Sequence, residues 1–482
     1  MLHHKDIKNL SELKTTFVAH HKKEEFFTKF IAVLKLGKIH AVFSGVKEKG
    51  IPVLLLIKIL INLPFIEQKN VYCFTQGYWA KYVKLGKDSL YRLKNNPLVN
   101  WRSFLFSVVK RTLLTIEERK PIASNNPTAL IFDDTIISKS GKKIEGVSRV
   151  WDHVFQKSIL GFQLLVMGYY DGTMFIPIDF SFHRSKGKNK KLLFGLKPKD
   201  YKKQYKKKRN KDTKGFIRKK ELDKGKINSA VAMIKRAVKQ NIQAQYVLTD
   251  SWFTCWEMVK TALDHNLKYI GMYSTIKTKF EYRNKQLTYR QIRKLNRKNT
   301  KRNKRFNLYY IRTVVQWKGE HIVLYFTKKG KRGRWKVLLS TDLSSKFQDT
   351  VSVYQTRWTI EVFFKEAKQH LNLGKSQSND FDAQVADTTI SMIQYIFLTL
   401  RKRIESYESI GKMFEKTKEF TLEQRLHERL IALLIAILEL IESLFKQADM
   451  EEIMHKAINN DSAMTKLLRL IEPTEKIYKI ST

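Results

Sequence analysis

The chain has 482 residues, and hydrophobic residues make up 43% of it, enough to bury sizeable cores and to exclude wholesale disorder. Lys and Arg number 92 against 45 Asp and Glu, a net charge of +47, so the protein attracts polyanions, and nucleic acid is the first candidate. An AT-rich genome that favours Lys codons accounts for part of the excess, but not for its clustering. Two cysteines, Cys73 and Cys255, exclude a disulfide framework and a zinc signature.

The start, MLHHKDIKNLSELK, lacks the apolar stretch of a signal peptide, and the chain reads as cytoplasmic. The most apolar stretches, IPVLLLIKILINLPF and RLIALLIAILELIESLF, are broken by Lys58 and Glu439 and read as buried or amphipathic helices, not membrane spans.

In chain order, residues 1–120 read as a helical DNA-binding region, with apolar residues at helical spacing in FFTKFIAVLKL and VLLLIKILINL. Lys87 to Lys110 predicts two helices around an Asn-Asn-Pro turn, with Tyr91, Arg92, Lys94, Trp101 and Arg102 interleaved. A helix-turn-helix DNA reader fits that stretch, and so does any basic helical hairpin.

From about Pro127 the texture changes. Ala129 to Phe132 predicts a strand ending at Asp133-Asp134-Thr135; Leu160 to Tyr170 and Met174 to Phe182 predict a hairpin joined by Asp171-Gly172. Ser185 to Lys226 is saturated with Lys and Arg, and is expected to be solvated and mobile when free. A helix from Lys226 to Gln240, a strand from Tyr246 to Thr249 ending at Asp250, a helix around Met258 to His265 and a strand from Tyr269 to Tyr273 follow. Residues 274–341 begin as a second basic stretch and turn β-rich, reading as a small inserted sheet. One long helix is expected from about Lys346 to Leu371, with Gly374 as its stop, and residues 376–482 read as a helical C-terminal region.

Parallel strands ending in acidic residues bring those residues to one edge of a sheet, and a helix across that edge can add a third carboxylate. Three such groups are hard oxygen ligands suited to Mg²⁺, and two ions can bind the attacking and leaving oxygens of an in-line displacement at phosphorus. Each carboxylate also has an ordinary explanation. Asp133-Asp134 could form a turn, Asp250 could cap a helix, and Glu361 could reflect helix propensity. On the long helix, Tyr354, Arg357, Glu361 and Lys368 are spaced by three, four and seven residues and fall on one stripe, whereas Ile360, Phe363, Ala367 and Leu371 take another face.

Those four residues resemble the Y-x2-R-x3-E-x6-K signature of bacterial insertion-sequence transposases of the IS-four family. Asp133-Asp134-Thr135 is similar to that family's Asp-x-Thr motif, and Asp250 to its second Asp. The likeness covers roughly Ala129 to Lys375. It implies a ribonuclease-H-like α/β core over 127–375 with a β-rich insertion at about 274–341. It implies Asp133, Asp250 and Glu361 as catalytic and metal-binding residues, with Asp134 the fallback for Asp133, and two Mg²⁺ ions for which Mn²⁺ substitutes. Tyr354, Arg357 and Lys368 would contact phosphates. Trp317, with Trp335 as runner-up, would stack on a flipped base. The partners implied are double-stranded DNA at terminal inverted repeats, target DNA and a second copy of the chain, paired through the C-terminal helices; the setting implied is the bacterial nucleoid. A hydrolytic nuclease with the same core, or an inactive DNA-binding relative, are the alternatives.

Overall fold

A computed structural model describes residues 50–415 apart from 66–67, 69, 77–84, 120–125, 154, 188, 190 and 406–409, together with Val42, Phe43, Gly45, Val46 and Lys418. The helices expected in FFTKFIAVLKL and RLIALLIAILELIESLF lie outside the described residues.

Among the described residues, four helices precede the sheet: α1 (Val53–Asn62), α2 (Val71–Thr75), α3 (Lys87–Lys94) and α4 (Trp101–Arg119). The helical pair around Asn95-Asn96-Pro97 is thus present. Three of its five interleaved residues point inward. Trp101 is buried, Lys94 pairs with Asp387 at 2.7 Å, and Arg102 is enclosed by carboxylates.

The sheet starts with β1 (Ala129–Ser138), β2 (Ser148–Asp152), β3 (Lys157–Tyr170) and β4 (Phe175–His183), and continues with β5 (Tyr246–Thr249) and β6 (Lys268–Tyr273). β1, β5 and β6 run parallel, while β3 pairs antiparallel with β1. β2 and β4 take successive stretches of the other edge of β3. The central order β4-β3-β1-β5-β6 is compatible with a ribonuclease-H-like core. Every residue of β4 is buried. Contacts to β4 come from α4, from α6 (Lys214–Glu221) and α7 (Lys226–Lys239), and from α11 (Trp358–His370) and α12 (Phe381–Glu405). α12 also packs on α1, α3 and α4, and Gln394 donates to the Ile61 carbonyl at 2.8 Å. Segments before and after the sheet therefore share one hydrophobic core.

Four expectations need correction. First, β1 does not end at Asp133-Asp134-Thr135: it runs on to Ser138, because β3 pairs with it along its whole length. Asp133 and Asp134 are mid-strand residues, and cations from two helices offset the cost of holding them there.

Second, the β-rich segment is not a separate sheet. It comprises β7 (Lys279–Tyr282), β8 (Lys285–Thr288), β9 (Lys301–Asn303), β10 (Leu308–Trp317), β11 (Glu320–Lys329) and β12 (Lys336–Ser340). β12 pairs antiparallel with β6, so these strands continue the central sheet.

Third, the basic stretch from Ser185 to Lys226 is largely docked. It carries α5 (Pro198–Lys202) and α6, and Arg209 is almost fully buried between Glu145, Asp380 and Asp382 at 2.7–3.3 Å. Lys207 pairs with Asp380 and Asp382 at 2.8 and 2.9 Å. These partners lie far off in sequence, so the local run of like charge did not reveal them.

Fourth, the long helix is two: α10 (Phe347–Gln355) and α11. Between them the amides of Thr356 and Arg357 bond three residues back, to Val353 and Tyr354. The hydroxyls of Thr356 and Thr359 also bond to the carbonyls of Val353 and Thr356, which tightens this turn.

Candidate active site

The β1–β5 register pairs Ile131 with Leu248, and two further residues set Asp133 opposite Asp250, where β5 gives way to a turn. Asp250 Oδ1 accepts the amides of Trp252 (2.9 Å) and Phe253 (3.1 Å), so it caps that turn. It does not cap the following helix, α8 (Trp256–Asp264), whose N-cap is Cys255.

Ile360, Phe363, Phe364 and Ala367 form the buried face of α11, and Phe363 packs on Phe175 of β4 and Tyr395 of α12. The adjacent stripe meets the acidic strand β1. Arg357 Nη1 lies 3.0 Å from Asp133 Oδ2, and Nη2 of the same guanidinium donates to Glu361. Two turns on, Lys368 Nζ donates to Thr135 Oγ1 (2.6 Å) and to the Ile136 carbonyl (3.0 Å). Strand alternation puts Asp133 and Thr135 on one face, the face α11 covers, which is a physical reason for Asp and Thr two apart. Asp134 faces the other way, and both of its oxygens lie 3.1 Å from Lys226 Nζ at the start of α7.

Burial raises the Asp133 carboxyl to about 7; Arg357 opposes this, and the neighbouring charge of Asp250 adds to it. Asp134 is raised for the same first reason, against the pull of Lys226. Burial pushes the Tyr354 phenol up to about 12, so it is a neutral hydrogen-bonding group beside Arg357. Burial also lowers Lys368.

The donor set suits a hard divalent cation: carboxylates only, one of them destabilised by burial and by a like charge. Among the described residues, no three His, Cys, Asp or Glu are spaced to enclose a metal. The Arg357 guanidinium stands between Asp133 and Glu361 as the cation that neutralises both.

Trp317 is not an open stacking face. It lies in the inward row Ile311, Thr313, Val315, Trp317 of β10 and packs edge-on against Trp256, Tyr273 and Phe280. The outward-facing ring near the acidic strands is Trp252, half exposed, with Lys226 Nζ 3.8 Å from its centroid. The signal that could have found it is its place two residues after Asp250.

An α/β protein with one carboxylate on a strand, a second just past the end of the adjacent parallel strand and a third on a covering helix has a layout compatible with a nuclease-type phosphoryl-transfer site. The chain matches the DDE superfamily endonuclease family over residues 87–353, more than half its length, and it belongs to that family. Its substrate class is therefore DNA, and members generally use divalent metal ions. The matched residues include Asp133 and Asp250 and end just before Tyr354, so the four signature positions on α10 and α11 lie beyond them. No curated protein matches the chain. No helix among the described residues is long and apolar enough to cross a membrane.

Proposed function

We propose that the protein is a DNA transposase that cuts an insertion sequence at its terminal inverted repeats and joins the freed ends to target DNA. The observation that carries this reading is the bridge from Asp133 through Arg357 to Glu361, with Asp250 on the neighbouring strand.

Asp133, Asp250 and Glu361 are the residues that would hold two Mg²⁺ ions, with Mn²⁺ as a substitute. Such ions, when bound, supply Lewis-acid activation of the attacking oxygen and stabilise the leaving oxygen. The chain's own residues do the rest. Arg357 exchanges its carboxylate partners for a phosphate, and Lys368 offsets charge on a second phosphate oxygen. Tyr354, held neutral, accepts a hydrogen bond from the Arg357 guanidinium and so orients it, and its own hydroxyl donates to a phosphate oxygen. In the first step a water oxygen bonds to phosphorus and the strand's 3′ oxygen leaves. In the second, the oxygen of that 3′-hydroxyl bonds to the phosphorus of a target phosphodiester, the bond from that phosphorus to the target strand's 3′ oxygen breaks, and the departing 3′ oxygen takes up a proton. The N-terminal helices take sequence readout, and a homodimer pairs the two ends in the bacterial cytoplasm, at the nucleoid.

Linear DNA carrying the native element ends, incubated with the full chain and Mg²⁺, tests this reading. Nicks at the element boundary followed by joined products support it. Cleavage without joining assigns a hydrolytic nuclease, and binding without cleavage in Mg²⁺ or Mn²⁺ assigns an inactive DNA-binding relative.

A further inference from the structure

The two basic stretches differ in how their charge is held. In the first, Lys207, Arg209, Arg218 and Lys226 are bound to carboxylates. In the second, nine Lys and Arg stand between Arg290 and Arg305, and no Asp or Glu occurs from Tyr282 to Gly319. Among the described residues, none of these nine pairs with a carboxylate. Their charge is therefore uncompensated among the described residues.

These residues also form an ordered surface. β9 and β10 pair Arg302 with Tyr309, and β10 and β11 pair Tyr309 with Lys328. Directly paired residues share a face, so Arg302, Tyr309 and Lys328 make one row. The guanidinium of Arg302 lies 5.8 Å from the Tyr309 ring centroid, and Lys328 Nζ lies 5.5 Å from it. Lys328 also lies 5.0 Å from the Trp335 ring, which Arg293 of α9 (Tyr289–Leu295) approaches at 5.4 Å. Cation–ring contacts fix where the charges stand. They also occupy the ring faces, so these rings are not open platforms for bases, and the surface presents cations to a phosphate backbone. β10 is four strands from β5, about 19 Å at the usual strand spacing, so the row is separate from the acidic site.

We propose that this edge of the sheet, from α9 through β9 to β11, is a second DNA-docking surface that holds the backbone of duplex DNA without reading its sequence. The inference rests on the reading of the chain as acting on DNA.

The test is the salt dependence of binding of a random duplex of about 40 base pairs to the full chain, long enough to span both surfaces. In the variant R297A/K298A/K301A/R302A, the slope of log affinity against log salt should become shallower by about 3.6, from about 0.9 per lost phosphate contact. A decrease of about two or more supports the proposal, and a smaller one overturns it. The charge-conserving variant R297K/R302K should keep the wild-type slope; equal loss in both variants would overturn the assignment, because the effect would not follow charge. Tighter binding of a single strand, lost in the alanine variant, would overturn the duplex assignment. The transposase reading fails separately: wild type that binds DNA and never cleaves it sinks that reading and leaves the slope comparison standing.

Discussion

Arg357 and Asp133, 224 residues apart in sequence, meet at 3.0 Å, and the same guanidinium holds Glu361. One side chain thus neutralises two of the three carboxylates proposed to bind cations. Without DNA, Arg357 competes with a divalent ion for Asp133 and Glu361. Arg357→Ala should therefore tighten Mn²⁺ binding to the DNA-free protein by several-fold to about tenfold, while cleavage falls because a phosphate partner is lost. Calorimetric Mn²⁺ titration checks the first effect; unchanged or weaker Mn²⁺ binding would show that Arg357 does not stand in for the metal.

Trp317 belongs to the core between Trp256, Tyr273 and Phe280. Trp317→Ala should cost about 3–5 kcal/mol of stability, as truncating a buried aromatic does. Urea denaturation measures it. A stable variant with a selective defect in DNA processing would restore Trp317 as a stacking residue.

Arg102 joins the N-terminal helices to the sheet. It lies 2.8 Å from Asp179, which is fully buried on β4, and 2.9 Å from Glu221 on α6, while Arg236 takes the other oxygen of Asp179. Arg102→Ala leaves Asp179 and Glu221 buried with less compensation. It should lower stability by about 3–5 kcal/mol, with the loss seen as a lower urea midpoint. A change under about 1 kcal/mol would mean that the network contributes little.

His183 gives a pH signature. Burial holds it down to about 4, from an ordinary 6.5, between Ser181 and the Lys224 carbonyl. The folded protein keeps this ring neutral while the unfolded chain protonates it. Unfolding therefore takes up a proton between pH 6.5 and about 4, and stability falls as pH drops through that window. His183→Gln should flatten this part of the stability curve, and urea midpoints at several pH values would show it. An unchanged slope in the variant would assign the pH dependence to other groups.

The order of β1 and β3 to β6 was legible because each segment carries one clear hydrophobic period, and Tyr246 to Thr249 coincides with β5, whereas β2 (Ser148–Asp152) was not foreseen. Sheet pairing was less legible. Nothing local in residues 336–340 says that they pair with β6 and continue the central sheet. The charge of Arg209 looks solvated until Glu145, Asp380 and Asp382, each more than 60 residues away, are brought to it. At the site, the helical stripe foretold that Arg357 and Glu361 share a face, at a spacing of four residues. The contacts of Arg357 with Asp133 and of Lys368 with Thr135 depend on how α11 crosses β1, which spacing along one helix does not encode.

The most direct test of the proposed triad compares four single variants of the full chain in Mg²⁺-dependent cleavage of element-end DNA: Asp133→Asn, Asp250→Asn, Glu361→Gln and Asp134→Asn. Asp134 points away from α11 toward Lys226, so its variant should keep cleavage, while the other three should lose it and still bind DNA. Cleavage that survives in Asp133→Asn or Glu361→Gln, or that is lost only in Asp134→Asn, would contradict the assignment of Asp133, Asp250 and Glu361 as the catalytic set.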